Sequence, residues 1–208
     1  MRLSILIPSI PSRFDRLIEQ YNKILDMVGD KEIEVLAFTD NKKRTIGEKR
    51  DALVQMSKGK YFMFVDDDDD IVSLEEIYKA TLQDVDVITF KQECRNNDGS
   101  SFIVDFGLNN EIEHNKDKNG NYLDCKRPPF HVCAWSNKYK QYRFPNVNYS
   151  EDWGWLKQFV HMAKYEYKID KVVHKYNFNI LVTEASTEDN SEWKNPNKKQ
   201  HEKEESDS

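Results

Sequence analysis

Five consecutive aspartates, Asp66 to Asp70, follow the apolar run Tyr61-Phe62-Met63-Phe64-Val65. Such a run reads as a buried strand, so the acids must lie where the strand leaves the core, at the carboxyl edge of a sheet. In open α/β sheets ligands bind at that edge, and adjacent carboxylates repel one another until a proton or a cation neutralises them. Strand side chains alternate, which sends Asp66 and Asp68 to one side, with Asp70 following if extended geometry persists, and turns Asp67 and Asp69 away. Two carboxylates on one side suit a hard divalent cation, magnesium or manganese, that takes its remaining ligands from phosphate oxygens. The competing explanations are a solvated acidic turn and a structural calcium loop. An EF-hand is excluded: counted from Asp66, Ile71 stands where that loop requires glycine and Ile77 where it requires glutamate.

A second acid pair, Glu151-Asp152, opens a segment with helical periodicity. An aspartate in a helix's first turn is kept ionised by the exposed amides and the dipole, which makes Asp152 a ready proton acceptor; acids that merely complement the dipole are the plain alternative. Arg13, at the start of an earlier helix, could meet phosphate or could be a surface cation.

The elements that must carry these groups alternate. Leu3 to Ile7 is a first strand, ended by Pro8-Ser9-Ile10-Pro11, because two prolines cannot continue a ladder. Ser12 can cap a helix to Val28, with Phe14, Leu17, Ile18, Tyr21, Leu25 and Val28 as its apolar stripe and Gly29 as its stop. Glu32 to Phe38 is a second strand, ended by Thr39-Asp40-Asn41. Thr45 and Glu48 form a capping box for a helix to about Ser57, and Ser73 and Glu76 repeat the signal for one to about Leu82, before a strand from Val85 to Phe90. Strand and helix in strict alternation mean parallel strands with right-handed crossovers, an α/β Rossmann-like sheet flanked by helices.

Beyond residue 90 the pattern changes. Asn96-Asn97-Asp98-Gly99 suggests a hairpin, and the polar stretch 109–121 reads as an excursion over the active edge. A helix is expected from Glu151 to about Lys164, a strand or strand pair from Tyr167 to Phe178, and a further short strand from Ile180 to Ala185. Residues 186–208 are almost free of apolar side chains, which predicts a mobile tail.

The 208 residues suit a single domain over 1–185, whose 12% aromatic content supplies the core that a 33% charged chain would otherwise lack. A net charge of -6 disfavours nonspecific adhesion to nucleic acid or anionic membranes. No run is long enough for a signal peptide or a membrane span, and Cys94, Cys125 and Cys133 lack the spacing of a zinc site or disulfide framework, so the expectation is a soluble protein of the reducing cytoplasm.

Taken together, Ser4-Ile5-Leu6-Ile7-Pro8, Gly47-Glu48-Lys49-Arg50-Asp51, Gly59 to Asp69 and Glu151-Asp152-Trp153 resemble, in order and spacing, the family 2 glycosyltransferases of GT-A fold, over about residues 1 to 180. The resemblance implies that 1–90 is the nucleotide-sugar half and 91–185 the acceptor half. It implies an Asp-x-Asp motif at Asp66 and Asp68, which meets the ribose and, through manganese or magnesium, the diphosphate of a nucleoside-diphosphate sugar, a UDP-sugar foremost. Asp67 belongs to the same donor site. Asp40 would read the nucleobase, Pro8, Ser9 and Pro11 would line its pocket, and Arg50 would contact the donor, although Lys49-Arg50-Asp51 departs from the family's Ala-Arg-Asn. Glu151 and Asp152 map onto the catalytic pair, with Asp152 the general base of an inverting transfer.

By the same resemblance His131 lies among acceptor or donor contacts and His174 where related enzymes place a late metal or diphosphate ligand. A hydrogen-bonded core histidine is the alternative for each. Trp153, with Trp135 and Trp155, flanks the acceptor side, and core packing explains each equally well. Acceptors in such a family range over glycans, lipids, proteins and modified nucleic-acid bases. The interleaved Lys138, Tyr139, Lys140, Tyr142 and Arg143 could track a polyanion or be a plain solvated surface. The rival functions are a nucleotidyltransferase, disfavoured because Pro8-Ser9-Ile10-Pro11 replaces a glycine-rich phosphate loop, and a non-catalytic sugar- or metal-binding module of the same fold.

Overall fold

A computed structural model of the chain describes residues 1–96 and 98–177. The strand expected at 180–185 and the tail 186–208 lie outside the described residues. The described chain builds one sheet from β1 (Leu3–Ser9), β2 (Ile33–Thr39), β3 (Tyr61–Phe64), β4 (Asp70–Ile71), β5 (Val87–Arg95), β6 (Ser101–Phe106), β7 (Glu113–Lys116), β8 (Tyr122–Arg127), β9 (Ala134–Ser136) and β10 (Glu166–Lys175). Its order is β2-β1-β3-β9-β5-β6-β8-β7, with β10 beside β5 and β4 beside β10. β1 pairs in parallel with β2 and with β3. β9 runs antiparallel to both β3 and β5, so β5 points the same way as β3, and β10 is parallel to β5. The central sheet is thus mostly parallel, with helices α1 (Phe14–Val28), α2 (Ile46–Met56), α3 (Glu75–Ala80) and α4 (Glu151–Leu156) flanking it. Among the described residues no helix is long and apolar enough to cross a membrane.

Period-two alternation in the central strands sorts the core into two layers. Leu3, Ile5, Ile7, Tyr61 and Met63 pack with Leu17, Ile24 and Ile77 on one face, whereas Leu6, Phe62 and Phe64 pack with Leu53, Trp135, Trp155 and Phe159 on the other. β3 lies between them and is wholly buried; the burial of Phe62 and Phe64 contributes on the order of 2–3 kcal/mol each.

Four expectations are corrected. β1 continues through Pro8 to Ser9, paired with β2. Beyond Leu6 it has no partner on its β3 side, so the proline's missing N–H interrupts no ladder. On α1 the buried residues are Leu17, Gln20, Ile24 and Val28, while Phe14, Ile18 and Leu25 face outward, because the covered stripe is rotated relative to the apolar one. The polar stretch 109–121 lies over no active edge. Its Glu113–Lys116 is the outermost strand, exposed on both faces and therefore polar. The helix from Glu151 ends at Leu156 and gives way to a turn and a short 3-10 helix at Val160–Met162, which lets Trp155 and Phe159 enter one aromatic cluster with Trp135.

The start of α2 is fastened to the loop before α4. Gly47 N–H donates to the Val147 carbonyl, Ile46 N–H to Asn148 Oδ1, and the capping box of Thr45 and Glu48 is formed. A Cβ at Gly47 would stand 1.8 Å from the Pro145 carbonyl oxygen, and one at Gly154 of α4 would stand 2.6 Å from Pro145 Cγ. Two glycines thus let α2 and α4 close on the same proline. Gly47→Ala meets backbone that cannot swing aside, so it is expected to cost about 2 kcal/mol or more in chemical denaturation. An unchanged midpoint would show that the α2 and α4 ends are not held this closely.

Candidate active site

The carboxyl ends of β1, β2 and β3 and the start of α4 meet at one edge of the sheet. β3 ends at Phe64, and the aspartates then turn, with Asp69 N–H donating to the Asp66 carbonyl at 3.0 Å. Extended geometry therefore does not persist to Asp70, which instead opens β4. Within the turn Asp67 and Asp69 are buried, while the Asp66 and Asp68 side chains stay 27% and 11% exposed.

Each acid has a different surrounding. Asp66 pairs with the Arg50 guanidinium at 3.0 Å; burial pushes its carboxyl up, but the Arg50 charge outweighs that and holds it below the usual range. Asp67 accepts from the Ser9 hydroxyl at 2.6 Å and from Arg13 at 2.7 Å, and burial nevertheless leaves its carboxyl raised. Asp68, 3.2 Å from Arg13, is pushed up to about 6 by burial, with the charges of Asp66 and Asp67 adding to it against Arg13. Asp40, after β2, is 3.0 Å from Lys49 Nζ, which also donates to the Ser9 carbonyl. Burial opposes ionisation there too, but Lys49 and the amides of Arg44 and Lys42 prevail and lower the Asp40 carboxyl. Pro8 is buried in β1 and Pro11 exposed at the head of the 3-10 turn that carries Arg13.

Arg50 is 4% exposed and joins the two acid groups, since its Nε also donates to Glu151 Oε1 at 3.1 Å. Asp152 comes next on α4. Its Oδ1 accepts from the Trp153 amide at 2.7 Å, and its Oδ2 is 3.4 Å from His131 Nδ1. Burial, ahead of every other influence, raises the Asp152 carboxyl, against the lowering that its first-turn position on the six-residue helix suggests. His131 is buried and, by desolvation and the nearby Arg50, held neutral. Trp153 is partly exposed against Phe130.

His174 does not join this group. It is wholly buried, with Nδ1 2.9 Å from Gln92 Nε2 and Nε2 3.6 Å from Asp69 Oδ2, and burial lowers it to about 4. The cations of 138–143 are likewise engaged: Lys138 with Asp86, Lys140 with the Ser57 carbonyl and Arg143 with Asp51, which leaves no basic track there. Sequence reasoning missed Lys49 as the buried partner of Asp40, and Glu151 as the partner of Arg50. The only available signal was two adjacent cations following a capping box.

The crowding makes a stability prediction. Asp68 binds its proton more tightly folded than unfolded, so in the pH range between the ordinary carboxylate value and about 6 the folded chain holds more protons, and stability falls as pH rises through that range. In chelator-treated protein Asp68→Asn is therefore expected to gain about 1–2 kcal/mol at pH 7.5, a gain that shrinks as the pH falls below about 6 and is gone only below the ordinary carboxylate range. Equal stabilities at pH 7.5 would rule out the crowding.

No family model and no curated protein sequence matches the chain. Solved structures match its fold. Residues 1–349 of S. aureus TarS align with a TM-score of 0.56 at 16% identity, over 85% of this chain and 60% of that one. The same piece in complex with UDP-GlcNAc aligns with a TM-score of 0.55 at 14% identity over 86% and 59%, and in complex with UDP with 0.54 at 15% over 86% and 61%. This chain spans about three fifths of the length of those TarS structures. The likeness defines the class of fold: a GT-A-like glycosyltransferase fold.

Proposed function

We propose that the chain is a family 2-like glycosyltransferase that moves a sugar from a nucleoside-diphosphate sugar, a UDP-sugar foremost, to an acceptor hydroxyl with inversion. The observation that carries this reading is the convergence of Asp40, Ser9, Asp66, Asp67, Asp68 and Asp152 at one sheet edge, in a fold shared with a protein solved with UDP-GlcNAc. The acceptor oxygen attacks the anomeric carbon as the bond to the diphosphate oxygen breaks. The diphosphate leaves with the bonding pair, and Asp152 takes the hydroxyl proton. A carboxyl raised by burial is the better matched base at neutral pH. Asp40 and the Ser9 segment would hold the nucleoside, and Arg13 would lie along the phosphates.

A divalent cation fits the donor set in a limited way. Asp66 Oδ1 is enclosed with the Arg50 guanidinium 3.0 Å away as its charged neighbour, and Asp68 is crowded by like charge, but among the described residues no three or more ligating side chains form a metal-holding group. Asp66 and Asp68 would therefore hold manganese or magnesium together with the donor's own phosphates, and the ion would supply positive charge for the leaving diphosphate. His174, spent on Gln92 and facing Asp69, is left out of that set. The three cysteines are free and buried, which suits a cytoplasmic location.

Thermal shift tests the reading. Manganese with UDP is expected to raise the melting temperature by more than the sum of the two separate shifts, because each completes the other's contacts. Asp68→Asn should abolish the synergy. A merely additive shift in the wild-type protein would sink the shared site.

A further inference from the structure

Beside Asp152, two cations bracket two aromatic rings. Arg127 ends β8, and Pro128 and Pro129 carry the chain stiffly from it to Phe130 and His131. The Arg127 guanidinium lies 5.4 Å from the Phe130 ring centroid, Phe130 meets Trp153 edge to face at 5.4 Å, and Lys157 Nζ lies 5.8 Å from the Trp153 ring. The row is tied to the base at two points: Trp153 N–H holds Asp152 Oδ1, and Phe130 packs at 4.9 Å on His131, which faces Asp152 Oδ2.

Neither cation has an acidic partner among the described residues, although the chain is acidic overall and most of its other well-placed cations are paired. Arg127 is the more telling of the two. It is half-buried, and its Nε is enclosed with no hydrogen-bond partner among the described residues. An enclosed guanidinium donor left unmade is costly, and a planar fork of this kind matches carboxylate or phosphate oxygens. Ring faces next to it suit the C–H faces of a sugar.

We propose that this row is the acceptor subsite and that the acceptor is a saccharide bearing an anionic group, phosphate or carboxylate. Arg127 takes the anion, Lys157 adds charge from the solvent side, and Phe130 and Trp153 carry the sugar so that a neighbouring hydroxyl reaches Asp152. This rests on the glycosyltransferase reading.

The test uses the full chain with magnesium, which is diamagnetic, and UDP, and follows the binding of glucose 6-phosphate, glucuronic acid and glucose by saturation-transfer NMR. At least one of the two anionic sugars should bind about tenfold more tightly than glucose, the worth of one charge-assisted contact. Preference for the phosphate alone assigns a phosphorylated acceptor, and preference for the uronate alone a carboxylated one. Arg127→Gln should erase the preference. Lys157→Gln, at an exposed position that does not threaten folding, should weaken it about two- to fivefold. Glucose binding as well as either anion, the preference surviving in Arg127→Gln, or no sugar binding while the manganese–UDP shift is intact, overturns the proposal. Loss of that shift in the wild-type protein is a separate result, which overturns the donor reading instead.

Discussion

If the proposed transfer is the activity, Asp152→Asn is expected to lower UDP release from a UDP-sugar donor by roughly two orders of magnitude or more, while the affinity for UDP and manganese stays nearly unchanged. The amide keeps the volume of the carboxylate and can still accept from Trp153 N–H, so the local structure survives; what disappears is the oxygen that takes a proton. Water attacking in the acceptor's absence needs the same acceptor of its proton, which lets donor hydrolysis report on the base. The structure also ranks the substitute. Glu151 is the adjacent acid, but its Oε1 is held by Arg50 and it is only 5% exposed, so it has less freedom to serve. Near-full turnover in the variant would move the base away from Asp152, and loss of UDP affinity would place Asp152 in the donor site.

Arg50→Met is expected to be the most damaging single change to stability, at about 3–5 kcal/mol in urea or guanidinium denaturation, because it strands two carboxylates in a buried place. Asp66 and Glu151 have Arg50 as their shared cation, at 3.0 and 3.1 Å, and the guanidinium also lies 4.9 Å from the Phe64 ring. The pH dependence identifies the cause. Without Arg50 both carboxyls rise above their unfolded values, so the folded variant takes up protons as the pH falls and recovers stability on the acid side. The deficit should therefore be smaller at pH 5 than at pH 7.5. A pH-independent loss would mean that Arg50 acts through packing alone, and a loss below about 1 kcal/mol would mean that it does not bridge the two acids.

Much of this protein is legible in local sequence. Capping pairs mark helix starts by local chemistry: Thr45 and Glu48 form the expected box, whereas Ser73 donates to the Glu76 side chain and α3 starts at Glu75 behind Leu74 with no side-chain cap. The aspartate run ends a strand because charged side chains cannot follow Phe64 and Val65 into a core, and alternation along Leu3 to Ile7 and Tyr61 to Phe64 assigns side chains to two layers before any packing is known. The hairpin around Gly99 is likewise announced by its turn residues; β5 and β6 pair across it, and Gly99 adopts φ 86°.

Other features depended on partners distant in sequence. α1 carries more apolar residues than its sheet can cover, and only the placement of the sheet decided that Gln20 is buried and Phe14 exposed. α4 is short because Trp155 and Phe159 both seek the cluster around Trp135, a demand that helical period alone does not express. Lys49 and Arg50 look like solvent-facing helix charges until β2, β3 and α4 bring Asp40, Asp66 and Glu151 against them, and charge burial is tolerable only once those partners arrive. Composition and period therefore determined the alternating strands and helices of the first half, β1 to β3 with α1 and α2, and the edge that bears the acids. Which acid is paired, which is crowded by like charge and which faces a histidine was decided by contacts spanning up to 108 residues, where burial and Coulomb terms outweigh local propensity.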